Sequence, residues 1–154
     1  MKLTKLGGFL IPLMAIGLIG CSTMLFESQA ASEAVKITGQ VNDGKADTLI
    51  GTSSRPFLFE SEILPSESML NDLWQGLIDA GVTFDDPQVR EVRVVDGESF
   101  KVFAETWEVE TWFKNYVSQP AYLVFLDTQD QQLVIVLDRN RKNDRPLMGF
   151  GEVR

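Results

Sequence analysis

Two stretches late in the chain are apolar at nearly every position: Ala-Tyr-Leu-Val-Phe-Leu at 121–126 and Leu-Val-Ile-Val-Leu at 133–137. Asp127-Thr128-Gln129-Asp130 separates them. Short continuous apolar runs bounded by turn residues predict strands buried on both faces, here a central hairpin. A different pattern precedes them. Met69, Leu70, Leu73, Trp74, Leu77 and Ile78 recur at the helical period, with Glu67, Asp72, Gln75 and Asp79 outside the stripe. Ser66 or Ser68 caps the start, and Gly81 stands where a helix C-terminus favours glycine.

Val109, Trp112, Phe113, Tyr116 and Val117 predict a second helix with Thr106 as its cap and Ser118-Gln119-Pro120 as its stop. Glu108 and Glu110 lie in its first turns and Lys114 near its end, as the helix dipole favours. A long strand through Trp107 and Val109 is the competing reading.

The other segments read as extended or turning. Val35, Ile37, Gly39 and Val41 alternate with Lys36, Thr38 and Gln40, which predicts a half-buried strand, closed by Asn42-Asp43-Gly44. Residues 48–52 suit a short return strand broken by Ser53-Ser54-Arg55-Pro56, and 57–64 an extended stretch ended by Pro65. Residues 89–95 alternate, Asp96-Gly97 signals a hairpin, and 99–104 suit its return strand. Residues 138–146 read as a charged loop and 147–153 as a final strand. The expected class is α+β, an antiparallel sheet with about two helices packed on one side, in a single domain over 35–154.

The first 21 residues have a separate logic. Lys2 and Lys5 are followed by fourteen mostly apolar residues, 6–19. About 20 such residues are needed to span a bilayer, so the run suits an export signal better than a transmembrane helix. It ends in Leu18-Ile19-Gly20-Cys21. This resembles the lipobox of bacterial lipoproteins. The resemblance covers residues 1–21 and implies cleavage between Gly20 and Cys21, diacylglycerol on the Cys21 thiol, and often acylation of the new amine. Residues 1–20 are then a signal peptide and 21–34, rich in small polar residues, a flexible tether, with a frayed first helix through Met24, Leu25 and Phe26 as the competing reading. An ordinary secretory signal with an incidental cysteine is the alternative. Among Gram-negative lipoproteins an Asp after the cysteine commonly retains the protein in the inner membrane. Ser22 stands there, so the resemblance implies the periplasmic face of the outer membrane where the cell has two membranes.

Charge and residue types narrow the chemistry. The chain of 154 residues carries a net charge of −8. Without residues 1–20 it holds 12 basic and 22 acidic residues, which disfavours nucleic acid as a partner. It has no histidine, and Cys21 is its single cysteine, so a Ser-His-Asp triad, a histidine-held metal and an intrachain disulfide are excluded. No phosphate-binding glycine loop or cofactor motif is present. Residues 138–144 fail the calcium-loop pattern because Lys142 and Asn143 stand where an oxygen ligand and glycine belong.

Glu60/Glu62, Asp85/Asp86 and Glu105/Glu108/Glu110 are carboxylate candidates by proximity alone. Residues 56–138 hold 16 acids and four bases, whereas 139–154 hold five bases and two acids. Arg139, Arg141, Lys142 and Arg145 are therefore candidate contacts for an anion or acidic partner, or for the protein's own acidic face. Trp107 is free of the core stripe and able to stack on sugar.

The expected function is a non-enzymatic, lipid-anchored envelope protein that binds another envelope protein or assembly. A small carboxylate-dependent hydrolase acting on envelope glycan, or a periplasmic carrier of an apolar ligand, is the alternative. Mass spectrometry of the native product should find Cys21 as the first residue, with acyl mass on its sulfur. Retention of residues 1–20 or a free thiol rejects the anchor.

Overall fold

The computed structural model describes residues 20–139 and 144–153, with side chains from Met24 onward. The signal segment before Gly20, and Arg141 and Lys142 of the basic rim, lie outside the described residues. The fold is α+β. Helices α1 (Gly20–Asn42) and α2 (Ala46–Thr52) lead into the hairpin β1 (Ser53–Phe59) and β2 (Glu62–Leu64). Then come α3 (Glu67–Asp79), β3 (Gln88–Val94), a 3-10 turn at Ser99–Val102, α4 (Trp107–Tyr116), and β4 (Ala121–Asp127), β5 (Gln132–Asp138) and β6 (Leu147–Glu152). The six strands form one sheet in the order β2-β1-β6-β5-β4-β3. β1 and β6 pair in parallel and every other neighbouring pair is antiparallel.

The apolar runs at 121–126 and 133–137 form the predicted hairpin, with Val124 opposite Ile135. Its side chains alternate between two cores. Tyr122, Val124, Leu126, Leu133, Ile135 and Leu137 join Leu49, Leu70 and Trp74 on one face. Leu123, Phe125, Val134 and Val136 join Val109, Trp112 and Phe113 on the other. Helices α1, α2 and α3 thus cover one face and α4 the other, which corrects the expectation of helices on one side. The reason is the hairpin itself, since a strand apolar on both faces needs two covers.

The N-terminal region also departs from the expected pattern. Residues 35–41 and the expected tether at 22–34 belong to one helix. Alternation at 35–41 coincides with a longer helical stripe: Ala30, Ala34, Ile37 and Val41 are all buried. Thr38 fits inside the helix because its hydroxyl donates to the Val35 carbonyl (2.7 Å). Residues 48–52 lie in α2 instead of a strand, burying Ala46 and Leu49. Ser53–Pro56 continues as β1.

Caps and turns behave as read at most other points. Ser66 Oγ accepts from Met69 N–H (3.3 Å) and Thr106 Oγ1 from Val109 N–H (3.4 Å). Gly44 and Gly81 both take positive φ, at 68° and 70°. Asn42 ties the end of α1 to the loop before β3: its amide donates to Phe84 O (3.0 Å) and accepts from Phe84 N–H (2.8 Å).

Trp74 centres the larger core. Its ring meets Phe57 and Phe150 edge-on at 5.8 and 5.7 Å. Its Nε1–H donates to Ser53 Oγ (3.0 Å), whose hydroxyl donates to Leu49 O (2.7 Å). One side chain thus joins α3, the start of β1 and the end of α2. Trp74→Ala should cost about 3–5 kcal/mol of folding stability, measured by chemical denaturation.

The 99–104 stretch forms a 3-10 turn at Ser99–Val102 and no return strand. Asp96 explains this: its Oδ1 accepts from Glu98 N–H (3.0 Å) and Ser99 Oγ–H (2.9 Å), so the side chain closes a local turn. The Glu98 amide, then the Ser99 hydroxyl, hold the Asp96 carboxyl below the usual aspartate range. A lowered folded pKa gives stability that is present above the unfolded value and lost as pH falls through the folded one. Asp96→Ala should therefore be less stable than wild type at neutral pH. The difference should narrow as pH drops below the ordinary aspartate value of 3.8, followed by thermal unfolding at stepped pH.

Candidate functional site

α4 is amphipathic in a way that leaves an aromatic edge. Val109, Trp112 and Phe113 face the sheet and are buried. Trp107, in the first turn, is 74% exposed, and Tyr116, the last helical residue, is 52% exposed. Sequence periodicity assigned Tyr116 to the core, but the helix ends there and the ring overhangs its neighbours. Between α4 and the β1–β2 hairpin lies a cleft of about 400 Å³. Trp107, Thr111, Asn115 and Tyr116 form one wall; Pro56 and Ile63 are on the other. Trp112 closes the floor, its Nε1–H donating to Pro56 O (3.2 Å). At the strand side, Arg55 is engaged by Glu67 in an ion pair.

This lining is aromatic and apolar, with a few polar groups at its mouth, as ligand-contact clefts commonly are. Glu108 is the only carboxylate lining it among the described residues. A paired-acid hydrolysis needs two carboxyl groups flanking one bond, and the cleft supplies one.

The other candidate acids do not converge. Glu60 Oε1 accepts from Glu152 N–H (2.7 Å). Glu62 lies on β2, Asp85 and Asp86 precede β3, and Glu105, Glu108 and Glu110 are exposed around the start of α4. Among the described residues Asp138 is the one buried carboxylate. It accepts from Ser118 Oγ–H (3.4 Å) at the end of β5 and does not line the aromatic cleft. No group of His, Cys, Asp and Glu among the described residues is placed to hold a metal ion.

The basic rim is not assembled into one patch by the residues described. Arg139 Nη2 donates to Gln29 Oε1 on α1 (2.6 Å). Arg145 lines a hollow of about 570 Å³ with Asp47 of α2 and Glu67 and Asn71 of α3. Both therefore face the protein's own helices. Gly20 and Cys21 form the start of α1. No helix among the described residues is long and apolar enough to cross a membrane. Comparison with protein-family models, curated proteins and solved structures found no match to this chain.

What sequence reasoning missed is the opposing wall. Pro56 lies within β1 at its register shift and Pro65 just past β2, whose short strand exposes Ile63 to the cleft. Proline at both ends of the 57–64 stretch was the available signal, since proline within a sheet marks a bulge or an edge.

Proposed function

We propose that this chain is a lipid-anchored cell-envelope protein that binds another envelope protein through the cleft beside α4. The carrying observation is the pair of exposed rings, Trp107 and Tyr116, set along an open apolar cleft floored by a buried tryptophan. Large exposed aromatics beside a preformed apolar hollow are the composition of a protein contact. The reading is non-enzymatic, with the acids dispersed as described above.

The anchor rests on the lipobox resemblance, and the start of α1 is consistent with it. Met24 and Leu25, one turn from Cys21, are 73% and 63% exposed. Apolar side chains beside a lipidated residue are favourable at a bilayer interface. Ala30, the first buried position reached along α1, is nine residues beyond Cys21, or about 14 Å of helix at 1.5 Å per residue. The body then sits close to the membrane, at the periplasmic face of the outer membrane if the cell is Gram-negative.

The cleft is tested in living cells. A photo-crosslinking residue at Thr111 should give one discrete protein adduct, and the same residue at Asp130, in the β4–β5 turn, should give none. Trp107→Ala in the Thr111 background should reduce the adduct at least tenfold while leaving thermal unfolding unchanged, because the ring is exposed. A glycan adduct at Thr111 instead of a protein would replace this reading with sugar stacking on Trp107.

A further inference from the structure

The sheet has two open edges, and they are built differently. β3 is seven residues long, but a bulge between Val89 and Glu91 breaks its register. It also exposes Arg90, Glu91 and Arg93. Bulges and charges are the usual devices that keep a sheet edge from accepting another strand. β2 has neither. Phe59 closes a two-residue turn onto Glu62, so Leu58 and Ile63 form the next, non-hydrogen-bonded pair. The N–H and C=O of Ile63 consequently point away from β1, along the open edge.

The two faces of β2 are also open beside that edge. Ile63 borders the aromatic cleft under Trp107 and Trp112. Its neighbours Glu62 and Leu64 point to the opposite face, where a second hollow of about 290 Å³ is lined by Phe59, Met69, Asp72 and Leu73. A strand laid beside β2 would send alternate side chains into these two hollows. That is the geometry of recognition by strand addition, in which backbone bonds supply affinity and pockets on alternating faces supply selectivity.

We propose that β2 is a docking edge for an extended segment of the partner protein. The segment carries apolar side chains at alternate positions and basic residues beside them. The charge follows from the lining: Glu62, Asp72 and Glu108 are acidic, and the one base, Arg55, is engaged by Glu67. Pro65 has no N–H to offer, so the added strand is short. The proposal rests on the partner-binding reading above and gives it a mode and a ligand chemistry.

The test uses the full chain in its own membrane, with a photo-crosslinking residue at Glu62, Met69 or Thr111 in turn, and the adducts mapped by mass spectrometry. Support requires that all three positions reach one contiguous segment of about ten residues or fewer in a single protein, with alternate apolar residues and at least one Lys or Arg. Two variants then separate the backbone from the charge, with crosslinking read at Met69. Ile63→Pro removes the outward N–H, and Glu62→Lys with Asp72→Lys reverses the charge at exposed positions that cannot disturb the core. Each should lower crosslinking at least tenfold. Thermal unfolding verifies that the variants fold, and the charge pair decides if Ile63→Pro does not.

Adducts at Thr111 without any at Glu62 and Met69 would overturn strand addition and leave the cleft as the contact. No adduct at any position would remove both. Mapping to β2 of a second copy would replace the partner with an edge-to-edge dimer.

Discussion

The β4–β5 hairpin imposes the condition that the other elements meet. Each of its strands is apolar on both faces and buried along nearly its whole length. Fully burying one Val, Leu, Ile or Phe contributes roughly 1.5–3 kcal/mol. With several such residues on each face, baring either one would forfeit on the order of 10 kcal/mol, comparable to the whole net stability of a domain. Two covers are therefore obligatory, and α1, α3 and α4 are as apolar on one side as they must be to supply them.

The covers are unequal, and the cleft follows from that inequality. Three helices close the face that holds Trp74. The opposite face has α4, ten residues long, and a single 3-10 turn. Where that cover stops short at the β3 side, Arg90 and Arg93 lay their guanidinium groups over the Phe125 ring, 5.5 and 4.9 Å from its centroid. Long cationic side chains shield an apolar surface there at no cost in charge solvation. At the β2 side no described residue does the same. Arg55 turns to Glu67, and the strip between α4 and Ile63 stays open. The same shortage of cover that arginine repairs at one margin leaves an aromatic surface exposed at the other.

The sequence was legible where one period dominated over enough residues. α3 and α4, with their serine and threonine caps, and the β4–β5 hairpin follow directly from spacing and end residues. α1 did not, because Val35, Ile37 and Val41 satisfy alternation over seven residues while Ala30, Ala34, Ile37 and Val41 satisfy a helical stripe over twelve. Alanine at the buried positions carries little hydrophobic signal, yet it is what lets α1 approach the sheet closely. α2 was too short to show a period. The cleft was invisible for a different reason: it is formed by α4 and a hairpin some fifty residues earlier in the chain, and pattern within a segment says nothing about which segments meet. Trp107 was recognisable as uncommitted, but its neighbours Pro56 and Ile63 were not.

The helical form of residues 22–34 changes what an anchor at Cys21 would do. A coil of that length would let the body wander through about 20 Å on a leash. A helix that runs from Cys21 into a buried stripe transmits orientation as well as position. α1 packs on the face of the sheet that also holds α2 and α3, whereas the cleft opens on the other. With acyl chains on Cys21, the anchoring helix and the cleft would lie on opposite faces of one sheet, so a partner could occupy the cleft without displacing the helix that holds the protein in place. Restricting the body before encounter removes part of the orientational entropy that binding otherwise costs. The stem would then add to affinity without touching the partner.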